Sequence, residues 1–62
     1  MPSVLTGREV TALMRRHGVT IAELARRMNL PQARVRYVRK HGVTGKAFCL
    51  DWQEAIEKEK GA

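Results

Sequence analysis

The side chains best suited to chemistry lie between residues 32 and 41, where positive charge is concentrated and acidic residues are missing. This segment has the sequence QARVRYVRKH. Four of its residues are basic: Arg34, Arg36, Arg39 and Lys40. A helix without acidic side chains cannot pair these charges on its own surface, so we expect it to face a polyanion such as a phosphate-lined groove.

The charge is distributed unevenly along the whole chain. The 62 residues include 12 Lys and Arg against 6 Asp and Glu, which gives a net charge of +6. Residues 19–42 hold six basic side chains and one acidic one, whereas residues 43–62 hold three basic and four acidic. This balance favours a polyanionic partner, although basicity alone does not separate nucleic acid from a membrane surface.

The sequence contains no recognisable catalytic or metal-binding set. Residues 42–46 resemble part of a phosphate loop, but Lys40 stands where the first glycine belongs and Ala47 where Ser or Thr is required. His17 and His41 have no Cys or carboxylate at a spacing that suits a metal site. We therefore expect no enzyme activity, no cofactor and no metal.

Local patterns predict where the first helices begin and end. Thr6 and Thr20 are each followed three residues later by Glu, and apolar residues bracket each pair, as in a capping box with a hydrophobic staple. The repeat RRHGVT and RKHGVT, at residues 15–20 and 39–44, predicts helix ends with Gly18 and Gly42 in the left-handed conformation. Residues 1–4 are expected to form a loose lead-in.

The stretch from Thr20 to His41 predicts two helices joined by a tight corner. Its first half has apolar residues at positions i, i+3, i+4 and i+7, namely Ile21, Leu24, Ala25 and Met28. In its second half, Val35 and Val38 face one way. Between them, Asn29 tolerates the left-handed conformation and Pro31 suits the first turn of a new helix.

This pattern resembles the helix-turn-helix of lambda-repressor/Cro-type proteins. The resemblance covers about half of the chain. Its strongest positions are Leu24, Ala25, Met28, Leu30, Val35 and Val38. One position departs, because the family usually has Gly where this chain has Asn29. We expect one mainly α domain over residues 1–62, with four short helices around the helix-turn-helix at residues 20–41.

The resemblance implies a sequence-specific, double-stranded DNA-binding transcriptional regulator, a repressor that acts by occupying an operator. It implies base contacts from Gln32, Ala33, Arg36 and Tyr37. Gln32 suits adenine and Arg36 suits guanine. Phosphate contacts are expected from Thr20 and Ile21, at the start of the first helix of the motif, and from Arg34, Arg39 and Lys40.

Two alternative functions stay open. The first is a MerR- or excisionase-like DNA-binding module, with residues 46–48 as a wing strand; the helix that precedes Gly18 argues against it, because those proteins usually begin at the motif. The second is a protein-interaction module, such as an antitoxin or a phage-type inhibitor, that uses the basic face on an acidic protein.

The C-terminal third allows two structures. In the first, Lys46–Leu50 is a short extended segment before a last helix that Asp51 caps and that ends near Lys58. In the second, one longer helix starts at Thr44, because Phe48 and the apolar residues after it also fit helical spacing. We favour the extended segment.

Residues 46–58 are also the predicted dimerisation segment, since a domain of this size has a small core. The predicted interface consists of Phe48, Cys49, Leu50 and Trp52. The extended residues 47–50 would pair with their copy across a twofold axis. The alternative is that Phe48, Leu50 and Trp52 complete the core of the monomer.

The sequence favours a cytoplasmic protein. The lone Cys49 cannot form a disulfide within the chain. No apolar run approaches the roughly 20 residues of a membrane span, and the N-terminus lacks a basic leader followed by an apolar block. No small-molecule ligand is evident.

Overall fold

A computed structural model of the chain describes residues 3–60 as four helices and a small two-stranded sheet. The elements follow in the order β1 (Val4–Leu5), α1 (Gly7–His17), α2 (Ile21–Met28), α3 (Gln32–His41), β2 (Val43–Thr44) and α4 (Lys46–Lys60). The predicted mainly α fold with four helices is confirmed.

Both predicted capping boxes are present. The hydroxyl of Thr6 accepts the backbone N–H of Glu9 at 3.1 Å, and the Glu9 carboxylate accepts the backbone N–H of Thr6 at 2.9 Å. Thr20 and Glu23 make the same two bonds at 3.2 and 2.9 Å. These bonds satisfy amides that the first turn of a helix leaves without partners, so local sequence sets where α1 and α2 begin.

α1 and α2 also end as predicted. Gly18 and Asn29 both adopt the left-handed conformation, with φ 67° and ψ 32° at Gly18 and φ 57° and ψ 47° at Asn29. The next residue then donates its backbone N–H to a carbonyl of the last helical turn, over 2.9 Å at Val19 and 2.8 Å at Leu30. This Schellman pattern turns the chain sharply after each helix.

The end of α3 differs from the prediction. Gly42 has φ 83° but ψ −173°, which is not the left-handed helical conformation. The two copies of the repeated sequence therefore end their helices differently. The last two residues of the second copy, Val43 and Thr44, form β2 and pair with β1, whereas Val19 and Thr20 of the first copy lead directly into α2.

β1 and β2 form an antiparallel pair that was not predicted. Val4 lies opposite Thr44, and Leu5 lies opposite Val43. The prediction of a loose lead-in is therefore wrong at Val4, while residues 1 and 2 lie outside the described part of the chain.

Two glycines allow the start of α1 to cross the end of α3. A Cβ atom on Gly7 would lie 2.5 Å from the carbonyl oxygen of Arg39 and 2.6 Å from that of Lys40. A Cβ atom on Gly42 would overlap the carbonyl oxygen of Leu5. The two backbones are thus closer than a side chain would permit, and this contact fixes α3 against α1.

One apolar core joins all four helices. α1 and α2 each pack against both α3 and α4, whereas α3 and α4 make few contacts with each other. The core consists of Leu5, Val10, Met14, Val19, Leu24, Ala25, Val35, Val38, Cys49, Trp52 and Ile56. α3 contributes only Val35 and Val38 to it, so the opposite face of α3 is free of packing.

α4 is one continuous helix, so the predicted extended segment at residues 46–50 is wrong. The backbone N–H of Cys49 donates to the carbonyl of Gly45 at 2.8 Å and closes the first turn. Cys49, Trp52 and Ile56 lie one or two turns apart and are buried on one face. The helical alternative prevails because only a helix buries these three side chains together.

The predicted last-helix start at Asp51 is also wrong. Asp51 is exposed and lies within α4, five residues after its first residue, Lys46. A short extended segment does precede the last helix, but it is Val43–Thr44.

We predict that Gly42→Ala destabilises the protein more than Gly18→Ala does. Both glycines have positive φ, so each substitution strains the backbone by about 1–3 kcal/mol. Only Gly42 has a neighbouring carbonyl in the way, whereas no atom lies within 4 Å of a Cβ on Gly18. Urea unfolding of both variants measures the difference, and equal losses would contradict the crossing of α1 and α3.

Candidate nucleic-acid interface

α3 turns one face into the core and the other to solvent. Val35 is fully buried and Val38 is 2% exposed. The exposed side chains of the helix define what we call the α3 surface: Gln32, Ala33, Arg34, Arg36, Tyr37, Lys40 and His41. All four residues predicted to contact bases belong to this surface.

The side chains of two predicted base-contact residues are hydrogen-bonded to each other. The Nη2 nitrogen of Arg36 donates to Oε1 of Gln32 at 3.3 Å, one helical turn away. Among the side chains of α3, only Gln32 carries a carbonyl or carboxylate oxygen. The amide oxygen of Gln32 is therefore the one side-chain oxygen of this kind on α3 that can accept a hydrogen bond from Arg36.

Three side chains form a stacked row along one flank of α3. The guanidinium carbon of Arg34 lies 5.3 Å from the ring centre of Tyr37. The rings of Tyr37 and His41 lie 4.5 Å apart, tilted by 38°. Tyr37 is 52% exposed, so it packs against its own helix and keeps half of its surface in solvent.

A shallow hollow of about 370 Å³ lies on the other flank of α3, beside α1 and the start of α2. It is lined by Thr11, Ile21, Arg36, Arg39 and Lys40. The structure thus brings together three of the predicted phosphate contacts, Ile21, Arg39 and Lys40. The hollow also borders the first turn of α2, whose amides have no partner within the helix.

The other two predicted phosphate contacts lie elsewhere or are already engaged. Arg34 is on the opposite flank, stacked on Tyr37. Thr20 directly precedes α2, but Glu23 engages both its hydroxyl and its backbone N–H. At the start of α2, the groups left for a phosphate are therefore backbone amides after Thr20.

Arg39 is less exposed than the other basic residues of α3. Its Nε atom is buried and has no hydrogen-bond partner within residues 3–60. Its carbonyl oxygen lies 3.4 Å from the hydroxyl of Thr11, which also lies 2.9 Å from the carbonyl of Gly7. Sequence reasoning missed Thr11, because its position depends on the packing of α1 against α3 and leaves no local signal.

An acidic group also lies near the start of α2. The carboxylate of Glu23 accepts the N–H of Thr20 at 2.9 Å and pairs with Nζ of Lys60 at 3.2 Å. The hydrogen bond from Thr20, followed by the contact with Lys60, holds the pKa of Glu23 below its ordinary value. The ammonium of Lys60 thus offsets the negative charge of Glu23.

α3 and α4 are separated by an aromatic cleft of about 460 Å³. Its floor includes Val38 and Trp52, and Tyr37, His41 and Phe48 line it as well. Phe48 is 63% exposed, the most exposed large apolar side chain in the described residues. We refer to this feature as the α3–α4 cleft.

The four residues predicted to form a dimer interface are divided between core and surface. Cys49 is 1% exposed and Trp52 is buried, while Leu50 is half-buried. The Sγ atom of Cys49 donates to the carbonyl of Val43 at 3.5 Å within the protomer. Among the four, Phe48 is exposed and Leu50 partly exposed, whereas Cys49 and Trp52 belong to the core of the protomer.

The described residues contain no group of three or more His, Cys, Asp or Glu side chains able to hold one metal ion. None of the four helices in residues 3–60 is long and apolar enough to cross a membrane. No protein-family model, curated protein or solved structure matches this chain.

Proposed function

We propose that this chain is a sequence-specific, double-stranded DNA-binding regulator of transcription. In this proposal α2, the corner at residues 29–31 and α3 form a helix-turn-helix of the lambda-repressor/Cro type. One observation carries it: α3 presents a basic, acid-free surface to solvent while Val35 and Val38 hold its other face in the core. A repressor that acts by occupying its operator needs a surface of this kind.

The dimensions of α3 support the proposal. Its 10 residues make a helix about 15 Å long, and no other element covers the α3 surface. The major groove of B-DNA is about 12 Å wide and admits one helix. With α3 in the groove, the hollow beside the start of α2 would face the phosphates along one edge.

The proposed roles follow from position on α3. Arg36 and Gln32 reach base edges, Ala33 contacts a thymine methyl, and Tyr37 contacts a base or the adjoining phosphate. The phosphate contacts divide between the two flanks of the helix. Lys40, Arg39 and the amide of Ile21 serve the flank beside α2, and Arg34 serves the flank beside α4.

The MerR- or excisionase-like alternative has less support. Its wing strand would be formed by residues 46–48, which are helical. α1 supplies Val10 and Met14 to the core and packs against α3. A module without this helix would lose the contact that fixes α3, so α1 favours the lambda-repressor/Cro type.

A protein-interaction module is the second candidate function, and the α3–α4 cleft favours it. An exposed Phe48 beside an aromatic-lined cleft with Arg34 at its edge suits an apolar anchor from a mildly acidic protein. The two functions differ in their ligand. A chain that fails to bind duplex DNA at low salt would support the protein partner.

We also propose a homodimer, because one protomer is smaller than one turn of DNA. The Cα atoms extend over 25 × 24 × 19 Å, whereas dimeric helix-turn-helix proteins bind half-sites about 34–36 Å apart. Strand pairing through residues 47–50 is excluded, since these residues are helical. Apart from Tyr37 on α3, Phe48 and Val4 are the most exposed large apolar residues in residues 3–60, at 63% and 49%, and we assign the contact to them.

A cytoplasmic location accompanies this proposal. Duplex DNA is the proposed partner, and the buried Cys49 is a free thiol hydrogen-bonded to a backbone carbonyl. Neither feature requires an oxidising compartment.

We predict that Arg36→Ala relaxes the preference for one base pair by about 1–3 kcal/mol. Lys40→Ala, a matched change in an exposed basic residue of the same helix, should weaken binding to all sequences alike. Selection of bound sites from random duplex DNA, followed by titration of single-base variants, measures both effects. Lys40 serves as the control instead of Arg39 because Arg39 is half-buried. If Arg36→Ala and the parent protein showed the same base preferences, the placement of α3 in the major groove would be contradicted.

We further predict that Phe48→Ser converts a dimer into a monomer at micromolar concentration, as measured by sedimentation. Ala47→Ser is the matched control, because Ala47 is the exposed neighbour and contributes little apolar area. The parent protein and the control should sediment as dimers. A parent protein that sediments as a monomer and binds a non-palindromic duplex at one copy per site would refute the dimer.

A further inference from the structure

The hydrogen bond between Arg36 and Gln32 restricts what each of them can do in a DNA groove. Oε1 of Gln32 accepts from Nη2 of Arg36 at 3.3 Å. A glutamine that reads adenine needs both ends of its amide, since the oxygen accepts from the N6 amino group and the nitrogen donates to N7. In this structure the oxygen already faces a guanidinium.

Adenine would therefore have to share this oxygen with Arg36. A carbonyl oxygen has two lone pairs, so the N6 amino group can take the second only where the amide of Gln32 lies in the plane of the base and still faces the guanidinium. No carboxylate on α3 can replace Gln32 as the acceptor for Arg36, because residues 32–41 contain neither Asp nor Glu. The hydrogen bond thus restricts the orientations in which Gln32 could read adenine.

The same bond leaves Arg36 well suited to guanine. A guanidinium has five N–H donors, and the bond to Gln32 uses one of them on Nη2. Nη1 keeps both of its donors and Nη2 keeps one, so the fork that binds O6 and N7 of guanine is intact. The bond also holds a long, exposed side chain in one direction before DNA arrives.

On the basis of the proposed DNA-binding function, we propose that Gln32 is a positioning residue that aims Arg36 at a guanine. Gln32 and Arg36 then read one base pair as a unit, and Gln32 is not an independent adenine reader. The benefit is the side-chain entropy that Arg36 no longer loses on binding. Immobilising a side chain of this kind costs enough to change affinity roughly 2- to 12-fold.

The test compares base preferences of Gln32→Ala, Gln32→Glu, Arg36→Ala and the double alanine variant. Both residues are exposed, so these substitutions leave the core intact. Gln32→Ala should weaken the guanine preference roughly 2- to 12-fold at the same base pair that Arg36→Ala relaxes, and at no other. In the Arg36→Ala background, Gln32→Ala should change no preference.

Gln32→Glu separates positioning from direct reading. A carboxylate still accepts from Arg36 but cannot donate to N7 of adenine, so this variant should retain the guanine preference while its added negative charge weakens all sites equally. Replacing that guanine with 7-deazaguanine, which lacks the N7 acceptor, should reduce binding by the parent protein and by Gln32→Glu, but not by Arg36→Ala.

Three outcomes would overturn the inference while leaving DNA binding in place. The first is a loss of adenine preference at a second base pair in Gln32→Ala. The second is additive effects of Gln32→Ala and Arg36→Ala. The third is an unchanged guanine preference in Gln32→Ala. A parent protein that does not bind duplex DNA at low salt would instead overturn the proposed function, and the inference with it.

Discussion

The close approach of two backbones at Gly7 and Gly42 determines how α3 is presented. α3 buries only Val35 and Val38, so its own packing is a small part of the core. Its last carbonyls lie against the start of α1, where only a glycine fits. Its first turn follows the corner at Asn29, which is tied to α2. Because both ends are fixed, the outer face needs no further contact and stays open to a ligand.

The crossing also organises the rest of the chain. The backbone leaves Gly42 in an extended conformation, pairs with β1 and then enters α4. α4 packs against α1 and α2 but makes few contacts with α3. The α3–α4 cleft and the hollow beside α2 are therefore consequences of one arrangement, in which α3 contacts its neighbours along only one side.

The charge of the α3 surface determines which kind of ligand it attracts. The α3 surface repels itself electrostatically in the free protein, because no acid on the helix neutralises its basic residues. Glu23, the acidic residue in the first turn of α2, accepts a hydrogen bond from Thr20 and is paired with Lys60. The stability that Glu23 gains from these contacts is lost as the pH falls through its lowered pKa. The α3 surface is basic because residues 32–41 contain four Arg and Lys residues and no acid, so a bound polyanion would relieve the repulsion.

Sequence alone predicted the features that depend on near neighbours. The capping boxes and the turns at Gly18 and Asn29 involve residues at most six positions apart, and each is present as predicted. The errors concern contacts between distant segments. The pairing of β1 with β2 joins residues about 40 positions apart. The helical conformation of residues 46–50 depends on burying Cys49 in a core that helices from earlier in the sequence help to form. The exposed base-contact candidates on α3 were predictable from the spacing of Val35 and Val38, whereas the bond from Arg36 to Gln32 depends on rotamers that spacing does not determine.

The salt dependence of binding to random duplex DNA tests the central claim most directly. Three cationic phosphate contacts per protomer (Arg34, Arg39 and Lys40) would give a slope of about −3 in a plot of log K against log salt concentration, since each neutralised phosphate contributes about −0.9. The account predicts a slope near this value for each bound protomer and a smaller slope for Lys40→Ala. Absence of binding at low salt, or binding that does not change with salt, would contradict it.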